Sequence, residues 1–168
     1  MRRIAKFGFG CAASAAAVFL VASLLVVYSI DGEFRDAVAT GDLDWAAVLL
    51  LVRPGLANEP QDGFQGRSPL WWACWEGYPG AAGFLLRQGA RTDYADHNGT
   101  TCLHATAHNT YDTEAASAIA ALLLKRGADP AARDAKGRTP LQIAEEVGNA
   151  EVAALLREAA GERRALGR

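Results

Sequence analysis

The feature that most limits how this chain can fold is an internal period. Gly66-Arg67-Ser68-Pro69-Leu70 recurs as Gly99-Thr100-Thr101-Cys102-Leu103 and again as Gly137-Arg138-Thr139-Pro140-Leu141, at separations of 33 and 38 residues. Leu85-Leu86-Arg87-Gln88-Gly89-Ala90 likewise returns as Leu123-Leu124-Lys125-Arg126-Gly127-Ala128, and Asp96 and Asp134 each stand three residues before an opening glycine. A period of this length means one small unit used several times, with neighbours burying the apolar face that a single unit leaves open. Ser68-Pro69 and Thr139-Pro140 set a hydroxyl at a helix N-cap, ahead of a proline whose missing N–H costs nothing at the first helical position. Gly89 and Gly127 follow leucine-rich segments and supply the left-handed residue at which helices stop. Leu70, Ala73, Phe84, Leu85 and Leu86 in one unit, with Leu103, Ile119, Leu122 and Leu123 in the next, form apolar faces that stacking must hide.

These openings and closings resemble the ankyrin repeat, with its Gly-x-Thr-Pro-Leu-His start, two short antiparallel helices and closing Leu-Leu-x-x-Gly-Ala-Asp turn. The resemblance covers about Glu33 to Ala160 and implies an all-α fold, a solenoid of about four stacked helix pairs with turn tips. The expected domain is 31–160, in rows of about 33–62, 63–96, 97–134 and 135–160, followed by a short basic tail, 161–168. Row one is degenerate: Ala37-Val38-Ala39-Thr40-Gly41-Asp42-Leu43 keeps the middle of the repeat, and Arg53-Pro54-Gly55 replaces its usual end. Row four ends in Leu155-Leu156-Arg157-Glu158 without the closing turn. Atypical end rows are expected where one face must meet water.

Ahead of the repeats, Phe7 to Ile30 runs 24 residues without a charge. As a helix it rises about 36 Å, against about 30 Å of bilayer hydrocarbon, so it is read as one N-terminal transmembrane helix in a domain spanning 1–30. Arg2, Arg3 and Lys6 precede it and Asp31, Glu33 and Asp36 follow, which orients the N-terminus to the cytoplasm and the repeats to the outer side. Richness in Ala and Arg hints at a bacterial source, making that side the periplasm. The alternative is a cleaved signal ending near Ser29, although the apolar run is longer than such signals use. Gly8-Phe9-Gly10-Cys11 lacks the leucine of a lipoprotein motif and precedes the apolar run, so lipidation is not expected. Gly8, Ala12 and Ala16, spaced by four, could bring two such helices together in weak self-association.

Beyond the apolar segment the chain carries 14 basic and 19 acidic residues, a balance that argues against nucleic acid. No phosphate-binding glycine loop, paired-carboxylate signature or Gly-x-Ser-x-Gly elbow is present, and no enzyme activity or cofactor is expected. His104 and His108 stand four apart on an expected helix, the spacing of two metal-binding imidazoles, but no third ligand is evident. The resemblance gives His104 a structural role instead, in hydrogen bonds that join adjacent turns. A small metal-binding protein or hydrolase using His104 and His108 is therefore the alternative from another class. A purely structural membrane subunit is a second. Cys74 and Cys102 belong to different stacked rows, so the expectation is that stacking holds them too far apart for a bridge.

The function expected is protein–protein recognition through the concave face of the array, with an unidentified protein as partner. The family pattern assigns contacts to the turn tips and the exposed side of each first helix. These are Phe64, Gln65, Arg67, Trp75 and Glu76 in row two, His97, Asn98, Thr100, His108 and Asn109 in row three, and Lys136, Arg138 and Glu146 in row four. Trp72 is expected in the core, whereas Trp71 replaces the usual histidine and puts its row's turn-to-turn bond in question. Row three holds five residues more than row two. The polar run His108 to Thr113 reads as a protruding loop in preference to a longer helix, with Asp112 or Thr113 capping a helix from about Glu114, and Asn109 and Tyr111 as added contacts.

Overall fold

Each apolar run pairs with a second across a short turn, and the computed structural model, which describes residues 30–60 and 66–166, shows those pairs as α-helices. Row one holds α1 (Ile30–Thr40) and α2 (Leu43–Val52), row two α3 (Pro69–Glu76) and α4 (Pro79–Arg87). Row three holds α5 (Cys102–His108) and α6 (Thr113–Lys125), row four α7 (Pro140–Val147) and α8 (Ala150–Leu166). First helices stack as α3, α5, α7, and second helices as α4, α6, α8. Among the described residues there is no β-strand, only a single bridge between Ala95 and Thr101 at a turn tip.

The helix starts follow the expected chemistry. The Ser68 hydroxyl accepts from Trp71 N at 3.2 Å, and Thr139 accepts from Gln142 N while the Gln142 side chain accepts from Thr139 N at 2.9 Å. Such caps contribute about 1 kcal/mol each by satisfying amides that the first turn leaves open. The core is continuous along the stack: Leu70, Leu85, Leu103, Ile119, Leu123, Ile143 and Leu156 are all at most 2% exposed. Burying a side chain of this size contributes about 1.5–3 kcal/mol, so the array's stability lies in these seams.

Between rows, the turns repeat one hydrogen-bond pattern. The Asp96 carboxylate accepts from Asn98 N and Thr100 N, and Asp134 accepts from Lys136 N and Arg138 N. Ala135 N then donates to Asn98 O at 2.8 Å, tying one tip to the next. Gly99, at φ 71°, is fixed by this closeness, since an added Cβ would come 3.1 Å from Ala135 N.

Three features depart from the sequence reading. The extra residues of row three do not form a protruding loop: α6 has 13 residues against 9 in α4, an added helical turn, and only Asn109 to Asp112 lie outside helix. About 3.6 residues complete a turn, so four more return the apolar face to the same direction, and the run from Thr113 is rich in good helix formers. Asp112 is the cap, accepting from Ala115 N at 2.9 Å. Row one ends in a 3-10 turn, Pro54–Ala57, and its Asn58 side chain donates to Gly89 O and accepts from Arg91 N, substituting for the missing tip. The basic tail continues α8 as far as Leu166. Among the described residues no helix is long and apolar enough to cross a membrane; the expected anchor, Phe7 to Ile30, lies almost wholly outside them.

Candidate protein-binding surface

The surface is built from the residue that follows each opening glycine and from the last turn of each first helix. At the openings, one carbonyl per row takes two donors. Arg138 O accepts Asp134 N at 3.0 Å and His104 Nε2 at 3.1 Å. The other ring nitrogen, Nδ1, accepts from Thr101 N at 3.2 Å and faces the Thr101 hydroxyl at 2.8 Å, so the network assigns a neutral imidazole protonated on Nε2. Burial lowers the His104 pKa below its ordinary value, in keeping with that neutral form. With both nitrogens engaged inside the fold, His104 offers no lone pair to a metal ion, and His108 is exposed and packs on Trp75.

Row two performs the same junction with a different side chain. Thr100 O accepts Asp96 N, and its second donor is the Trp71 indole Nε1 at 3.1 Å. The loss of histidine therefore leaves the turn-to-turn bond intact. Trp71 is the fully buried indole, 1% exposed, whereas Trp72, expected in the core, is half-buried and lines a surface groove. The reason is the stack that Trp71 joins. The Arg67 guanidinium lies 4.2 Å above one face of Trp71, Trp75 stacks on it at 5.3 Å and 11°, and His108 follows at 5.6 Å from Trp75. Such cation–aromatic and stacked contacts are each worth about 0.5–1.5 kcal/mol beyond burial.

The other expected contacts fall into four groups. Glu76, His97, Asn98, His108, Tyr111 and Lys136 are exposed, Tyr111 at 99% and Trp75 at 40%. Arg67, Thr100 and Arg138 are half-buried and partly committed; Arg138 pairs with Asp134 at 2.9 Å and with Glu146 at 3.0 Å. Burial opposes ionisation of Asp134, but hydrogen bonds from the Arg138 backbone and guanidinium and from Lys136 N outweigh it, and its carboxyl lies below the ordinary value. Asn109 is the correction. It is 5% exposed, its amide donates to Trp75 O at 3.0 Å and accepts from Tyr111 N and Asp112 N, and Asn149 donates to its carbonyl at 2.7 Å. It is a joint linking rows two, three and four, and of the two added contacts expected in that turn only Tyr111 is at the surface. Phe64 and Gln65 lie outside the described residues.

Cys74 and Cys102 form no disulfide, and only the separation expected between them differs. Both are fully buried free thiols, and they meet each other, because the first helices that carry them pack directly. The hydrogen bond with Cys74, together with burial, pushes the Cys102 thiol well above its ordinary pKa. What sequence reasoning missed altogether is a groove of about 240 Å³ between rows one and two, walled by Val38, Ala39, Pro69, Trp72, Ala73 and Tyr78. Its walls come from two rows whose facing only the folded array defines.

Comparison with known proteins agrees with this architecture. The family described as ankyrin repeats (3 copies) matches residues 34–134 and 84–164. The ADP-ribosylation factor GTPase-activating protein AGD2 of Arabidopsis thaliana is 37% identical over 95 residues, which are 55% of this chain and 11% of that protein. The chain thus spans a small part of the relative's length. It belongs to the ankyrin-repeat family, whose arrays are protein-interaction modules.

Proposed function

We propose that this chain is a protein-recognition array held at a membrane by the segment Phe7 to Ile30, with its rows on the outer, periplasmic side and no catalytic role of its own. The observation that carries the recognition reading is the exposed aromatic edge of a rigid stack, Trp75 between Trp71 and His108, in the last turn of the first helices. Rigid aromatic anchors bury large area at small cost in side-chain freedom, which is why they dominate protein interfaces. Support for the anchor comes from the 24 uncharged residues and the basic-before, acidic-after flanks.

Photo-crosslinking side chains placed at His97 and Lys136 of the full chain in intact cells test the recognition reading. Capture of one protein from both positions is expected, with loss of capture in Trp75→Ala. Crosslinks to no protein would overturn it. Reporter fusions after Ile30 and at the C-terminus, with N-terminal sequencing, test the membrane reading. A product beginning near Ser29 or Ile30 refutes the anchor, and a cytoplasmic reporter refutes the orientation.

A further inference from the structure

Among the described residues four large apolar side chains are exposed, and three of them, Trp75, Tyr78 and Tyr111, sit where the first helix of row two or three turns into the second. The turns are locked together: Asn109 donates to Trp75 O, and its side chain lies so near Gly77 that an added Cβ would come within 2.9 Å of it. Tyr78 and Glu76 also form the rim of the groove between rows one and two. At about 240 Å³ that groove is smaller than a typical metabolite or cofactor pocket and matches one inserted side chain.

Resting on the reading of the array as a recognition module, we propose that this groove and its aromatic rim receive an extended basic segment of the partner. One apolar side chain seats between Val38 and Trp72, and an adjacent arginine or lysine lies against Glu76 and Tyr78. Charge selects the class of segment. Glu76 has no ion-pair partner among the described residues, and Asp112 on the neighbouring turn and Glu114 in the first turn of α6 stand exposed, whereas Arg35 across the groove is paired with Asp36. The chain beyond the apolar segment is acidic overall, 19 residues against 14. A cation gains from the Glu76 carboxylate and the exposed Tyr78 ring beside it, whereas an acidic segment would meet the repulsion of Glu76 with Arg35, already paired, as the cation across the groove.

The test uses the purified full chain in detergent micelles and fluorescein-labelled peptides carrying Leu-Arg-Leu-Arg, Leu-Glu-Leu-Glu or Ser-Arg-Ser-Arg between identical Gly-Ser flanks, read by fluorescence polarisation. The Leu-Arg peptide should bind at least about tenfold tighter than either other peptide. Glu76→Lys should weaken it about tenfold, Tyr111→Ser severalfold, and Ala39→Leu, which fills the groove from an exposed position, should remove the advantage conferred by leucine. Lys125→Glu, exposed in the last turn of α6 and part of none of these contacts, should leave it unchanged. Equal binding of the three peptides, or no binding of the Leu-Arg peptide at about 1 mM, overturns the proposal. So does an unaltered affinity in both Glu76→Lys and Ala39→Leu. Continued capture from His97 and Lys136 in cells would then show that recognition stands and only this groove's role has failed.

Discussion

Trp71 and His104 solve the same problem with unlike chemistry. Each donates one ring N–H to the carbonyl that follows the next row's opening glycine, Thr100 O or Arg138 O. That His104 would do so was legible, because the repeat opening fixes its position. That Trp71 would do so was not, since a motif records residue types and an indole N–H reaches the same point only with its ring buried and stacked on Trp75. Trp71→Phe keeps a ring but removes the donor and some volume, and should cost about 1–3 kcal/mol by chemical denaturation. For His104 the native state prefers the neutral ring, so the unfolded chain takes up its proton first as the pH falls. The His104 contribution is complete above its ordinary value of 6.5 and declines as the pH drops through and below it. The depressed Asp134 carboxyl adds a further loss in more acid solution, as the pH falls through its ordinary value of 3.8 and lower. Midpoints of thermal melts between pH 8 and pH 5 should fall toward acid, and His104→Gln, though less stable throughout, should flatten that fall. An equal slope in the variant would assign the effect elsewhere.

At the scale of helices, caps and stops were readable because each is a local bargain between a side chain and a backbone group. Ser68, Thr139, Gly89 and Gly127 act where their types and spacing place them. The row three insertion was misread for the opposite reason: polar residues from His108 to Thr113 suggest a loop, yet whether added residues extend a helix is decided by packing downstream. Asn109 is the decisive residue, buried at a junction of three rows. Asn109→Ala strips Trp75 O of a donor and the amides of Tyr111 and Asp112 of their acceptor, and should destabilise the array by about 2 kcal/mol in urea titration. Tyr111→Ser, two residues on and fully exposed, should move stability by less than about 0.5 kcal/mol. Removal of all four residues from Asn109 to Asp112 should unfold row three, because the joint and the cap of α6 go together. Retention of cooperative melting after that deletion would return the segment to the status of a spacer.

Over the whole array, stability is a sum of seams between neighbours, and end rows have one seam fewer. Row one is the weaker end on three counts. Its α1 faces row two across the groove of about 240 Å³ where a packed interior would hold side chains. It closes with the 3-10 turn Pro54–Ala57 in place of the Leu-Leu-x-x-Gly-Ala turn, secured to row two by the Asn58 side chain. And α3, α5 and α7 stack directly, with the bonds from Asn109 to Trp75 O and from Asn149 to Asn109 O running along their ends, a ladder that starts only at row two. Local opening should therefore begin at α1 and reach α5 and the middle of α6 last. Native-state hydrogen exchange, followed by mass spectrometry, should show α1 amides exchanging at least about tenfold faster than those of α5. Ala39→Leu, by filling the groove, should slow α1 without affecting α7, since contacts in such an array reach only adjacent rows. If all helices exchange at one rate, the array opens as a single unit and the groove costs row one nothing; if α7 and α8 lead instead, the row four end is the weaker.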